Sequence, residues 1–176
     1  MHTLVLGIGN LLLQDEGIGV HIINELQRRF QFPPGVELLD GGTAGMELVE
    51  AMLDREQVVV VDAIRSDEAP GTLIQVEGDA VPAFLQQHLT PHQLGIADVL
   101  ATLTIAGRTP KQLVLLGVVP HSMELSVTLS DTLQQQFAEL ITQVAAKLAE
   151  FGIVPTPKVE IRPSVGPLTG VPSDER

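Results

Sequence analysis

The run of four valines at residues 58–61 constrains the fold of this chain most strongly, because consecutive β-branched residues favour a strand that is buried on both faces. Further apolar strands are predicted at residues 3–6, 36–39 and 113–119, and helical patterns lie between them. Strands that alternate with helices form a mainly parallel sheet that is covered on both faces. We therefore predict the α/β class, with a three-layer α/β/α architecture.

A further strand near residues 72–76 indicates that the sheet is mixed. Only nine residues separate Asp62 from this strand, whereas a parallel crossover needs about a dozen or more. The strand should therefore run antiparallel to residues 58–61. Together the five segments predict a twisted, five-stranded sheet that is mixed but mostly parallel, with helices on both faces.

The length of 176 residues is typical of one domain, and no linker divides the chain. We predict a single domain over residues 1–152. A long amphipathic helix, with Ser130 as its N-cap, ends this domain. Residues 153–176 contain five prolines and little periodicity, which predicts a loosely ordered C-terminal tail.

Composition argues against several classes of function. The net charge of −12 and the absence of Trp and Tyr make nucleic acid an unfavourable partner. No apolar run approaches the ~20 residues of a membrane span, and the first residues lack the pattern of a secretory signal. The chain has no cysteine, which excludes disulfides and thiolate ligands. We therefore expect a cytoplasmic protein without membrane contact, and we expect a monomer.

Acidic residues follow two of the predicted strands. The glycine-rich segment after the first strand leads to Asp15 and Glu16, and Asp62 directly follows the valine run. Ligands of open α/β sheets bind beyond the carboxyl ends of the parallel strands. If the first and third strands are neighbours, Glu16 and Asp62 enter the same crevice, because adjacent strands are about 4.8 Å apart.

A histidine can complete this group. Residues 90–93 have the pattern of a capping box, with Thr90 as N-cap and Pro91 as the first helical residue, so His92 lies in the first turn of a helix. Two carboxylates and one imidazole make a three-ligand site with open positions for a divalent ion. His88 is separated from His92 by Pro91, which disfavours a helical His-x-x-x-His metal site.

Each of these residues also has a structural explanation. Asp15 and Glu16 can stabilise the positive end of the first helix, and Asp62 can be a solvated strand end. Asp40, which precedes two glycines, is a turn former, and a single exposed histidine is seldom a ligand. The Gly7-x-Gly9 pattern lacks the third glycine of a dinucleotide-binding turn.

Five ordered segments resemble those of the nickel-iron hydrogenase maturation endopeptidases. The first of them reads GIGNLLLQDEGIGV, and the one at residues 39–48 reads LDGGTAGMEL. Thr90 replaces a serine that is common in the family, which exchanges one capping residue for another. The segments are residues 7–20, 39–48, 60–64, 69–72 and 90–100.

This resemblance implies a mixed five-stranded sheet and an endopeptidase. Family members remove a C-terminal peptide from the precursor of the nickel-iron hydrogenase large subunit after nickel has been inserted. The family's nickel-contacting residues correspond to Glu16, Asp62 and His92, and we predict that the same three residues are catalytic. Asp40 and the following Gly41, Gly42 and Thr43 are expected to recognise the substrate. The nickel would be carried by the precursor, so that the free enzyme can be metal-free.

Two other functions stay open at this stage. A nickel chaperone could use the same three ligands without cleaving its client. A nucleotide-binding oxidoreductase could be built on Gly7-x-Gly9, with Asp40 as the ribose contact. For the peptidase itself, metal activation of the carbonyl or of water and general-base catalysis by a carboxylate are both compatible with the sequence.

Overall fold

A central β-sheet between two layers of helices dominates the computed structural model, which describes residues 2–87 and 91–158, without the side chains of residues 91–94. In chain order the elements are β1 (Thr3–Ile8), a 3-10 helix (Gln14–Gly17), α1 (Ile18–Arg29), β2 (Phe30–Gln31), β3 (Val36–Gly42), α2 (Leu48–Met52), β4 (Gln57–Ala63), β5 (Leu73–Glu77), α3 (Ala80–Gln87), α4 (Pro91–Ile105), β6 (Gln112–Val118), α5 (Asp131–Glu150) and β7 (Thr156–Pro157).

The five-stranded sheet has the strand order β3-β1-β4-β6-β5. Its first four strands are mutually parallel, and β5 pairs with β6 in the antiparallel direction. This arrangement confirms the mixed, mostly parallel sheet that the sequence predicts. The short segment between β4 and β5 also behaves as expected, because β5 runs opposite to β4, although β6 lies between them.

The valine run explains how the three layers are held together. Val59 and Val61 belong to the core formed with α1 and α5. Val58 and Val60 belong to the core on the other face, formed with α2, α3 and α4. Side chains alternate between the two faces of a strand, so each valine is buried, which stabilises the fold by about 1.5–3 kcal/mol per side chain.

The order of the strands creates a crevice beside β1. The chain leaves β1 through α1 to reach β3 on one side, and then crosses through α2 to β4 on the other side. Successive crossovers thus lie on opposite faces of the sheet, which is the arrangement that opens a ligand-binding crevice at the carboxyl ends of the strands. Here the crevice lies between the ends of β1 and β4, which are neighbouring strands.

Two helix starts agree with the sequence. Ser130 caps α5, since its Oγ accepts a hydrogen bond of 3.3 Å from the Leu133 N–H. Helix α4 begins at Pro91 as predicted. The expected cap Thr90 and the neighbouring His88 lie outside the described residues. None of the helices in the described ranges combines the length and the hydrophobicity that crossing a bilayer requires.

The start of the predicted loose tail is packed onto the domain. Ile153 is buried, and its N–H donates to the Leu148 carbonyl. Strand β7 pairs antiparallel with β2, and the Lys158 N–H donates to the Arg29 carbonyl. Residues 153–158 are therefore ordered, contrary to the prediction, because a buried isoleucine and a strand pair fix them. Residues 159–176 lie outside the described part of the chain.

Candidate functional site at the carboxyl edge of the sheet

Glu16 lies in the 3-10 helix between β1 and α1, and it is only 6% exposed. The backbone of this helix is held against the end of β1 by a close approach at Gly9, which has φ +136°. A Cβ atom built on Gly9 would lie 1.7 Å from the Glu16 carbonyl oxygen. Only glycine fits here, so Gly9 is explained by packing against the acidic turn rather than by a bound dinucleotide.

Asp62 lies in β4, one residue after Val61, and it is 3% exposed. Val60 and Ile64 flank it on the same face and pack with the layer that contains α4. By the alternation of the strand, the Asp62 side chain points into that layer. The alternative explanation of Asp62 as a solvated strand end is wrong, because its side chain is buried at the end of β4.

The turn that carries Glu16 also contacts the end of β4. Gly19, the second residue of α1, lies directly against both strands, since its Cβ would be 2.2 Å from the Val61 carbonyl oxygen and 2.4 Å from that of Ile8. The backbone of the Glu16 turn is thus packed between the ends of β1 and β4. Both carboxylates are anchored at the same edge of two neighbouring strands.

His92 is the second residue of α4, in the first turn of the helix, as predicted. Its side chain lies outside the description. Gly95, one turn later, closely approaches the loop that follows β3, because its Cβ would be 3.1 Å from the Gly45 Cα. Among the residues whose side chains are described, no three acidic or histidine side chains form a metal-binding group. The convergence of His92 on Glu16 and Asp62 therefore stays a prediction.

The glycine-rich segment predicted to recognise substrate is not a free turn, because β3 extends through Asp40 and Gly41 to Gly42. Asp40 pairs with Gly7 of β1 and is exposed, and its carboxylate accepts a 2.9 Å hydrogen bond from the Gly42 N–H. A Cβ on Gly7 would point at α1, so Asp40 lies on the α1 side of the sheet. Asp62, in contrast, points towards α4. The structure therefore places these two carboxylates on opposite faces of the same edge.

The loop between β3 and α2 begins at Thr43, which is exposed, and passes close to α4. Within it the Glu47 carboxylate accepts a 3.0 Å hydrogen bond from the Gly45 N–H. Hydrogen bonds from the backbone N–H groups of Glu47 itself and of Gly45 lower the pKa of Glu47. The loop that follows the predicted recognition residues is thus ordered by hydrogen bonds to its own Glu47 carboxylate, and it lies beside the helix that carries His92.

Asp15 has a structural role that sequence reasoning did not identify. It is fully buried, and its carboxylate accepts hydrogen bonds from the N–H groups of His121, Ser122 and Ser130 at 2.9, 3.0 and 2.8 Å, and from the Ser130 hydroxyl at 2.8 Å. These partners come from the loop between β6 and α5. Asp15 therefore ties the Glu16 turn to that loop, and the partners are too distant in sequence for any local pattern to reveal them.

Known proteins match this chain in sequence over most of its length. The family model described as HycI, hydrogenase maturation protease, matches residues 20–147. The chain is 45% identical over 162 residues to the hydrogenase 2 maturation protease of Escherichia coli K12, covering 92% of this chain and 99% of that protein. It is 41% identical to the hydrogenase expression/formation protein HupM of Azotobacter chroococcum, covering 89% and 76%.

Solved structures show the same relationship. The hydrogenase maturating endopeptidase HybD of Escherichia coli superposes with a TM-score of 0.87 at 45% identity, covering 90% of this chain and 98% of that one. The nickel-iron hydrogenase maturation protease HybD of Thermococcus kodakarensis gives a TM-score of 0.69 at 27% identity, with coverages of 85% and 99%. These matches confirm the three-layer fold with its mixed five-stranded sheet.

Proposed function

This chain belongs to the hydrogenase maturation protease family, and on that premise we propose that it is the endopeptidase that removes the C-terminal extension of a nickel-iron hydrogenase large-subunit precursor. Family membership makes the chain a peptidase. The names of its relatives refer to hydrogenases and their maturation, which supports a hydrogenase subunit as the client. We further expect the reaction to take place in the cytoplasm, with the enzyme acting as a monomer.

The proposal includes nickel as the element that the enzyme recognises on its substrate. Glu16, Asp62 and His92 would supply oxygen and nitrogen ligands to a nickel ion already held by the precursor, which docks the scissile bond beside them. The observation that carries this assignment is that two buried acidic residues lie at the ends of the neighbouring strands β1 and β4. The enzyme has no cysteine, so it offers no soft thiolate that could remove nickel from its client.

We assign peptide hydrolysis to the same groups. A water oxygen must attack the scissile carbonyl carbon, the C–N bond must break, and the leaving nitrogen must receive a proton. Glu16 or Asp62 can accept the proton of the attacking water as a general base. Alternatively, the nickel of the substrate can polarise the carbonyl or the water, and the enzyme's ligands then hold that ion in position. In both routes these residues act only after the metal-loaded precursor has bound.

Asp40, Gly41, Gly42 and Thr43 are proposed to recognise the precursor. Asp40 lies near the end of β3 and Thr43 directly follows the strand, and both residues are exposed. The loop that begins at Thr43 passes beside the first turns of α4. A polypeptide that delivers its metal to Glu16, Asp62 and His92 would pass this loop.

The proposal is tested by following the mass of a nickel-loaded precursor after incubation with the wild-type protein or a variant. We expect wild type to shorten the precursor at its C-terminus. Asp62→Asn preserves the size of a buried side chain but removes its negative charge, so we expect a loss of rate of at least about a hundredfold. Glu16→Gln and His92→Gln should act in the same direction, with thermal midpoints close to that of wild type.

Asp98→Asn is the matched control, because Asp98 is an exposed acid on α4 that faces away from the core, and its rate should equal that of wild type. Full activity of Asp62→Asn would remove that residue from the mechanism. Binding of the precursor without any change in its mass would instead identify the protein as a nickel chaperone.

A further inference from the structure

Three large apolar side chains are exposed together at the carboxyl edge of the sheet. Leu12 is 58% exposed, Leu125 is 84% exposed and Val127 is 66% exposed. We call these three residues the apolar rim. Leu12 lies in the loop after β1, and the other two lie in the loop between β6 and α5. Isolated exposed leucines are common on protein surfaces, but a group of them marks a contact surface.

The two loops of the apolar rim are held together by backbone hydrogen bonds. The Ser126 N–H donates to the Leu12 carbonyl at 3.0 Å, and the Gln14 N–H donates to the Ser126 carbonyl at 2.8 Å. Ser126 lies between Leu125 and Val127, so these bonds bring Leu12 alongside both. The buried Asp15 carboxylate also joins the two loops, because it accepts hydrogen bonds from backbone N–H groups of the second loop. The apolar rim is therefore ordered before any partner binds, which reduces the entropy lost on binding.

The apolar rim lies at the same edge of the sheet as the proposed catalytic site. Leu12 and Glu16 belong to the same connection between β1 and α1. The loop of Leu125 and Val127 leaves β6, which is the strand next to β4 and runs parallel to it. Since the carboxyl ends of parallel strands lie at one edge, both loops border the edge that carries Glu16 and Asp62.

The two segments that carry the apolar rim are uncharged, and the exposed acids Glu124 and Asp131 flank the second segment. Residues 11–14 and 125–130 contain no Asp, Glu, Lys or Arg, although 18% of the chain is charged. Val127 also lines a groove of about 450 Å³, together with His21, Leu129 and Phe137. Burial lowers the pKa of His21, which favours the uncharged form of its ring. The exposed leucine and valine side chains and the apolar lining of this groove fit an uncharged, apolar segment of polypeptide.

We propose that the apolar rim and the adjoining groove bind an uncharged, apolar segment of the precursor polypeptide beside its scissile bond. This proposal rests on the proposed function, because it assigns to the same client a second contact next to the catalytic edge. An endopeptidase must hold the chain on at least one side of the bond that it cleaves. The apolar rim would bind the precursor polypeptide independently of the metal.

The test combines L12S, L125S and V127S in one variant of the full-length protein. With nickel-loaded precursor we expect KM to rise about tenfold, while kcat stays within about twofold of wild type and the thermal midpoint is unchanged. Ile105→Ser is the matched control. Ile105 is 89% exposed at the end of α4, and the following loop is fixed by an ion pair between Arg108 and Asp54 at the opposite edge of the sheet. It should behave as wild type.

The affinity of each variant for the precursor separates this proposal from the proposed function. Weaker binding by the triple variant supports the apolar rim even if the wild-type protein cleaves nothing. Equal binding by wild type and triple variant overturns the proposal, and so does an equal loss in Ile105→Ser. Sedimentation velocity of the free proteins tests whether a second copy of this chain binds the apolar rim instead. A wild-type dimer that the triple variant abolishes would assign the rim to a second copy of this chain, and would also overturn the proposal.

Discussion

At the scale of single residues, the adjacent acids Asp15 and Glu16 have different roles that the sequence could not separate. Glu16 is anchored at the crevice between β1 and β4, whereas Asp15 turns inward and accepts four hydrogen bonds from the loop before α5. A pattern of residues identifies both as acids near the start of a helix. Only the three-dimensional contact with Ser130 distinguishes the structural acid from the candidate ligand.

The carboxylate of Asp15 should be important for stability. In Asp15→Asn the side chain keeps its size, but one acceptor oxygen becomes an NH₂ group that faces N–H donors. Hydrogen bonds to a carboxylate are worth about 1.5–3 kcal/mol each, so we expect the free energy of unfolding to fall by about 2–4 kcal/mol. Urea unfolding monitored by circular dichroism measures this difference.

Asp131→Asn serves as the comparison for that experiment, because Asp131 is exposed in the first turn of α5. Its interaction with the helix dipole is worth about 0.3–1 kcal/mol, so its loss should be clearly smaller. Equal stabilities of Asp15→Asn and Asp131→Asn would show that the Asp15 hydrogen bonds do not hold the two loops.

At the scale of elements, the site depends on how the start of α1 is packed on the sheet. The hydrophobic pattern predicted both α1 and the two strands, and the valine run predicted the edge at which Asp62 lies. Two glycines set the remaining geometry, because they have no side chain. Gly9 can therefore pack against the Glu16 carbonyl, and Gly19 can pack against the ends of β1 and β4. Close packing of this kind is invisible in a sequence, where a glycine is equally compatible with a turn or a phosphate loop.

Gly19→Ala should therefore disturb the site through its backbone. The added methyl group would overlap the carbonyl oxygens of Val61 and Ile8, and backbone atoms cannot move aside as a flexible side chain can. We expect a loss of about 3 kcal/mol or more in the free energy of unfolding, together with a loss of cleavage by the protein that remains folded. Thermal unfolding and the cleavage assay measure the two effects.

Gly45→Ala provides the control, because the nearest atoms to its Cβ are 3.9 Å and 4.0 Å away, in ordinary contact. Its stability should stay within about 1 kcal/mol of wild type. A Gly19→Ala protein that is as stable and as active as Gly45→Ala would contradict the packing described for α1.

At the scale of the whole molecule, the hydrophobic periodicity predicted the class and the layers, and the short connection before β5 predicted the mixed sheet. The neighbouring positions of β1 and β4 were an assumption that the strand order bears out. The class and the layers follow from which residues must be buried, and burial is recorded locally in the sequence. The ordered residues 153–158, the burial of Glu16 and Asp62, and the apolar rim were not predicted. Each of them depends on contacts between segments far apart in the chain, such as β7 with β2 or Ser126 with Leu12.

The stability of the whole molecule should fall between pH 7 and pH 5 in part because of His21. Burial lowers the pKa of His21 below its usual 6.5, so the unfolded state takes up a proton at a higher pH than the folded state does. This contribution to stability is complete above pH 6.5 and is lost as the pH falls through the pKa of the folded protein. In His21→Gln the thermal midpoint should fall less steeply over this range, and identical slopes would contradict the assignment.

Intact-mass analysis of one precursor before and after nickel loading, each incubated with the wild-type protein, tests the central claim most directly. Loss of a C-terminal peptide from the loaded precursor alone is the predicted result, because Glu16, Asp62 and His92 are proposed to position the substrate through its metal. Equal cleavage of the nickel-free precursor would contradict that role for nickel, and no cleavage of either form would contradict the proposed function.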